Sequence, residues 1–170
     1  TQCFNQFIIQ LMQNKISILY HIVSEVHYRN FLIISKYFSS YNFILIYEGK
    51  IKYKVNNFSK KYISYELKNE NYKLLNKIKK INLIILSTTQ VRIKIYDFIF
   101  WAFEKNIPTL SIQETNHFLL HSGFLNNYIL PVNKLLVTSE YEKNQFSKLN
   151  YNDDLINVVA WPFLKKNIKK

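Results

Sequence analysis

Short runs of consecutive apolar residues alternate with stretches whose apolar positions recur every three or four residues. Ile16 to Val23 (ISILYHIV) is strand-length and rich in β-branched residues. Ser24 reads as an N-cap, and Val26 to Ser39 carries Phe31, Ile34, Tyr37 and Phe38 at helical spacing. Asn42 to Tyr47 (NFILIY) is a second strand, stopped by Glu48-Gly49. Ile51 to Glu66 fits no single period, with Tyr62 to Tyr65 as a third-strand candidate. Asn71 to Lys80 predicts a short lysine-rich helix with Leu74, Leu75 and Ile78 inward.

The second half repeats the alternation. Ile81 to Leu86 (INLIIL) is almost wholly apolar, as a parallel strand buried on both faces should be. Ser87-Thr88-Thr89-Gln90 turns the chain. Val91 to Lys105 is an amphipathic helix with Ile95, Phe98, Ile99 and Ala102 on one side, broken by Asn106-Ile107-Pro108. Thr109 to Ile112 is a strand, followed by a polar loop from Gln113 to Gly123. Lys134 to Thr138 (KLLVT) is another strand. Ser139-Glu140-Tyr141-Glu142 fits a capping box and opens a helix to about Leu149. Ile156 to Ala160 (INVVA) is the last strand, ended by Trp161-Pro162. Strand–helix alternation with right-handed crossovers predicts an α/β, doubly wound, mostly parallel sheet with helices on both faces, a Rossmann-like domain.

Composition narrows the function classes. The 170 residues are 48% hydrophobic and 20% charged, which is one domain or one half of a two-lobed protein, not a disordered chain. With 2 Gly, 3 Pro and the single Cys3, neither a linker-like chain nor a disulfide scaffold fits, and a reducing compartment does. No apolar run reaches the ~18 residues of a membrane span. The net charge of +12 invites a nucleic-acid reading. Only Arg29 and Arg92 are arginine, however, and specific phosphate and base recognition favours arginine's planar fork. Ile, Asn, Lys, Tyr and Phe make up about half the chain, as an AT-rich coding sequence produces. The charge therefore reads as a lysine-covered surface without specific nucleic-acid binding. A weak attraction to an anionic membrane or a phosphorylated substrate stays open.

In a doubly wound sheet, ligands bind beyond the carboxyl ends of the strands, so the residues just after each strand are the candidates. Gln113-Glu114-Thr115-Asn116-His117 places a carboxylate and an imidazole three residues apart after a central strand. Glu114 is the candidate general base, or a holder of sugar hydroxyls; His117 can do either, or donate to a phosphate. The bland alternative has Glu114 capping a helix and His117 packed under the loop. Ser24, His27 and Arg29 open a helix whose free N–H groups favour an anion; the alternative is a capped, solvated first turn. Ser87, Thr88, Gln113, Asn116 and Ser139 complete the substrate-binding candidates. No dinucleotide, P-loop or nucleophile-elbow glycine pattern occurs, and the scattered histidines with one cysteine give no metal site and no cofactor signature.

The second half, "IPTLSIQETNHF…NNYILPVNKLLVTSEYEKNQFSKLNY…INVVAWPF", resembles the N-terminal, acceptor-side domain of GT-B glycosyltransferases. The matching parts are Asn106 to Thr109, Gln113 to His117, Leu135 to Glu140, Lys143, and Ile156 to Pro162, within residues 81 to 163. Two departures stand out. Ala160-Trp161 replaces the glycine expected before the last proline, and Ser24 to His27 replaces a glycine-rich loop. The resemblance implies one GT-B lobe that takes the acceptor, a glycan or a lipid-linked molecule. The nucleotide-sugar donor would sit on a C-terminal lobe missing from these residues, and catalysis would take place in the cleft without a bound metal. Glycerophosphate transferases and nonhydrolysing sugar-nucleotide 2-epimerases share this layout.

The expected organisation is an N-terminal extension at 1–14, the Rossmann-like domain at 15–163, and a basic tail or linker start at 164–170. The expected location is cytoplasmic, or peripheral at the inner face of the membrane. A transferase half inactive on its own, a nonenzymatic α/β binding domain and a basic nucleic-acid-binding protein are the three functions weighed, in that order.

Overall fold

The structure, a computed structural model, describes residues 16–47, 51, 62–66, 75–76, 78, 80–86, 93–113 and 131–159, with the side chains of 93–98 left aside. The elements in chain order are β1 (Ser17–Ile22), α1 (Glu25–Tyr37), β2 (Asn42–Tyr47), β3 (Ile63–Glu66), β4 (Leu83–Leu86), α2 (Ile93–Glu104), β5 (Thr109–Ile112), β6 (Lys134–Val137), α3 (Glu140–Lys148), a 3₁₀ turn (Asp153–Leu155) and β7 (Ile156–Val158). All seven strands form one sheet in the order β3-β2-β1-β4-β5-β6-β7, every pairing parallel. This is a Rossmann-like α/β fold. The four second-half strands expected from sequence lie parallel in this sheet, and Ile63–Glu66 is a strand as well.

Alternation along β1 sorts the core into two layers. Ile18, Tyr20 and Ile22 pack with Tyr28 and Phe31 of α1. Leu19 joins Ile84, Leu86, Leu135 and Val137 beneath Ile99 and Ala102 of α2 and Phe146 of α3. Leu75 is buried in the second layer and Ile78 packs against it, as their spacing predicts. The remainder of the expected helix at 71–80 lies outside the described residues, as do the side chains of Ile95 and Phe98. Phe31 is the hub of the first layer. Its ring lies 5.3 Å from Tyr20, 5.4 Å from Phe43 and 5.0 Å from Tyr62, all edge-on.

Local chemistry sets the boundaries. Asn82 takes the Ser17 N–H on its side chain at 3.0 Å and returns its own N–H to the Ser17 carbonyl at 2.8 Å, locking the start of β1 to β4. Asn133 does the same between β5 and β6: its Oδ1 accepts from the Thr109 N–H at 2.8 Å and hydroxyl at 3.0 Å. Two helices end on an asparagine with positive φ, Asn106 at 53° and Asn150 at 61°. In each, that asparagine's N–H reaches back three residues and the next N–H five, to Phe103 and Ala102 in α2 and to Ser147 and Phe146 in α3. This is the Schellman closure, and a chain with 2 glycines fills its left-handed position with asparagine. Tyr151 completes the second one by packing on Phe146 at 5.9 Å.

The periodicity of the first helix misled at its end. Tyr37 and Phe38 share the helical spacing of Phe31 and Ile34. Phe31 is buried and Ile34 packs on the core, but Tyr37 is 79% exposed and Phe38 stacks on Tyr41 outside it. In the last turn of α1 Ile34 and the buried Ser35 face the core, whereas Tyr37 and Phe38 are exposed. Tyr28, in the first turn of α1, adds a second aromatic ring to the core from this helix. Replacing Phe31 by Ala is expected to cost about 3–5 kcal/mol in urea unfolding, whereas Tyr37→Ser should stay within about 0.5 kcal/mol.

Candidate functional site

The strand order reverses direction at one place. From β1 the chain moves to β2 and β3 on one side, and from β4 to β5, β6 and β7 on the other. The crevice beyond the carboxyl ends of β1 and β4 is therefore the topological switch point, where ligands of open parallel sheets bind. Ser24 and His27 sit directly after β1 at this place. Ser24 is the N-cap of α1, with φ −142° and ψ 167°, and its Oγ accepts from the His27 N–H at 3.2 Å. The buried His27 ring turns back, and its Nδ1 accepts from the Val23 N–H at 3.1 Å. Nδ1 is therefore the unprotonated nitrogen in this bond, and Nε2 carries the ring proton. Arg29 is exposed and pairs with Glu25 at 3.0 Å along its own helix, an arrangement worth only a few tenths of a kcal/mol.

Two further candidates lie at the ends of β5 and β6. Gln113 follows β5 immediately, donates its N–H to the Leu136 carbonyl at 2.8 Å and is buried. Ser139 is half-buried and caps α3, its Oγ accepting from the Glu142 N–H at 3.2 Å. The expected capping box thus closes on its serine side. Its glutamate side differs: Glu142 passes Ser139 and takes both donors of Thr138, the N–H at 2.6 Å and the hydroxyl at 2.7 Å. Thr138 offers a hydroxyl and an N–H together, two charge-assisted bonds where the regular box gives one. Glu142 is 0% exposed, and its other oxygen, Oε1, is buried without a hydrogen-bond partner. Ser87, Thr88, Glu114, Asn116 and His117 fall outside the described residues. The structure thus brings Ser24 and His27 together at the switch point and sets Gln113 and Ser139 at neighbouring strand ends, with Arg29 on the solvent side.

Sequence reading left out Thr138 and Glu142 as neighbours of the site. Their signal was a threonine immediately before a capping box. It also left out His21 and Ser111, both fully buried in central strands. By alternation both lie on the α2–α3 face, as does Gln113, and an apolar run gives no warning of a single buried histidine. Below the crevice, burial pushes the Tyr28 hydroxyl up to about 12, with Tyr62 adding to the shift. Burial does the same to Tyr151, up to about 12, against a hydrogen bond from Val132 that pulls the other way. Among the described residues no group of three or more His, Cys, Asp and Glu side chains could hold a metal ion, and no helix is long and apolar enough to cross a membrane.

Comparison with known proteins bears on the fold. No family model and no curated protein matches the chain. Among solved structures, the crystal structure of Anabaena HepE in complex with UDP superposes with a TM-score of 0.61 at 11% identity. The match covers 85% of this chain and 44% of that one. At this identity the likeness speaks to the fold. The chain spans less than half the length of the protein it resembles.

Glu142→Ala should cost roughly 1–3 kcal/mol, because it strips two donors of Thr138, and Ser139→Ala about 1 kcal/mol, both read by urea unfolding. The tyrosines predict an alkaline limit. Their folded values lie above the ordinary 10.0, so the stability they contribute is complete below pH 10 and lost as pH rises toward about 12. Melting temperature should fall through that window, and the fall should be visibly smaller in Tyr28→Phe and Tyr151→Phe.

Proposed function

We propose that this chain is the acceptor-side lobe of a two-lobed glycosyltransferase. In this reading it receives a glycan or lipid-linked acceptor hydroxyl at the rim of its parallel sheet. The nucleotide-sugar donor is held by a second lobe beyond these 170 residues. The observation that carries the reading is the lopsided likeness to HepE: 85% of this chain against 44% of a protein crystallised with UDP. The sheet order and its switch point support it, and so does the motif resemblance over residues 81 to 163.

The roles follow from position. Glu114 is the general base for the acceptor hydroxyl and His117 orients it. In sequence Gln113 precedes Glu114, and Asn116 lies between Glu114 and His117. Ser24 and His27 stand at the switch point and Ser139 at the end of β6, and in sequence Ser87 and Thr88 follow β4 directly. Arg29 stands at the solvent edge, paired with Glu25. No metal and no cofactor are assigned to this lobe.

The reading is tested in a chain extended to include the second lobe. Glu114→Gln should lower sugar transfer on the order of a hundredfold or more with little change in melting temperature, and His117→Ala should cost less. Residues 1–170 alone should neither hydrolyse nor transfer from nucleotide sugars. A destabilised but fully active Glu114→Gln enzyme would make this residue a helix cap instead, and robust turnover by the isolated chain would overturn the half-enzyme reading.

A further inference from the structure

The start of α3 holds a carboxylate that is only half used. Glu142 is 0% exposed, and its Oε2 takes both donors of Thr138, at 2.6 Å and 2.7 Å. Its Oε1 is buried without a hydrogen-bond partner, and a carboxylate oxygen can only accept. Buried charged groups are ordinarily fully hydrogen-bonded, so an oxygen left short of a donor calls for an explanation. The Thr138 bonds also fix where this oxygen lies. They hold the carboxylate against the residue before the N-cap, at the N-terminal end of the helix.

Ser139, bonded to the same residue, has the opposite surplus. Its Oγ accepts the Glu142 N–H at 3.2 Å, which uses a lone pair and leaves the hydroxyl proton. Thr138 and Ser139 are both half-buried, so solvent reaches the corner between β6 and α3. The corner lies at the carboxyl end of the parallel sheet, where ligands of such sheets bind. It offers one acceptor and one donor, each immobilised by bonds that do not use it up.

That pair matches one chemical group. A hydroxyl donates its proton and accepts on its oxygen. A phosphate would meet Glu142 and also Glu140, exposed in the same turn. A cation would meet the carboxylate, but against the positive end of the helix dipole and on a chain of net charge +12. We propose that the β6–α3 corner binds a hydroxyl of a neutral sugar or polyol, which donates to Glu142 Oε1 and accepts from the Ser139 hydroxyl. Thr138 is the positioning residue that holds the carboxylate. The inference deepens the acceptor-side reading and rests on it for the ligand's class.

The test is amide nuclear magnetic resonance of the full chain, titrated with methyl β-D-glucopyranoside, with inorganic phosphate and with methylammonium chloride. The glycoside should shift the amides of Thr138 to Glu142 saturably, and the two ions should not. Ser139→Asp keeps a capping oxygen but has no proton to give, so it should weaken glycoside binding about tenfold and leave the fold unchanged by circular dichroism. Glu142→Gln should weaken binding by as much, because an amide donor replaces one carboxylate oxygen. Thr138→Val should weaken it too, and Thr138→Ser should restore it. Three results would each overturn the proposal: no saturable shift with the glycoside, shifts of the same amides by either ion instead, or glycoside binding indifferent to Ser139→Asp. Sugar transfer by the two-lobed chain judges the acceptor-side reading separately. Transfer that depends on Glu114 while these amides stay still would remove this corner and leave that reading in place.

Discussion

The fold depends on β1 being hydrogen-bonded along both edges and buried on both faces. Ser17 to Ile22 pair with Asn42 to Tyr47 on one side, and Ile18 to His21 with Leu83 to Leu86 on the other. A strand so placed has no solvent-facing side, so every side chain from Ile18 to Ile22 is buried. Everything else is arranged by where that strand sends the chain. Leaving β1 toward β2, the connection must cross one face, and α1 brings Tyr28 and Phe31 there. Leaving β4 toward β5, it must cross the other, and α2 brings Ile99 and Ala102. The two core layers and the crevice between β1 and β4 are therefore one consequence, not separate features.

This explains which parts of the structure were legible in the sequence. Strands buried on both faces announce themselves as apolar runs, so β1, β2, β4, β5 and β6 could be placed within a residue or two. Edge strands do not. Ile63–Glu66 is half-exposed and follows a stretch of mixed period, and β7 stops at Val158 where the apolar run reads on to Ala160. Helical periodicity reports the spacing of apolar residues but not what lies beneath them, so Tyr37 shares the spacing of Phe31 and Ile34 and is still exposed. The surroundings of the candidate site were legible as polar strand ends, since that is where any such sheet turns. The partner of a particular hydroxyl was not. Whether Glu142 would close on Ser139 or on Thr138 depends on a reach of one residue, which spacing alone does not resolve.

The two capped helix starts at the rim differ electrostatically. α1 carries Glu25 in its first turn, but Arg29 pairs with it and leaves that end close to neutral. α3 carries Glu140 and Glu142, and the second is buried with its carboxylate turned to Thr138. The positive end of the α3 dipole is thus already met by the protein's own acids. A phosphate placed against Ser139 would meet like charge, whereas a hydroxyl would not.

Ser24 and Ser139 then need not be either structural or functional. Each uses an oxygen lone pair to accept the helix N–H three residues on, and this fixes the hydroxyl at a strand end. A serine that only accepts in its cap still has an O–H proton to donate. The cap holds the oxygen in place without using that proton, so the groups best able to meet an incoming ligand oxygen are the ones the fold already immobilises. Pre-positioning of this kind lowers the ordering cost of binding. It also accounts for the turns after β1 and β6, which are closed by side-chain hydroxyls and, after β6, by a carboxylate.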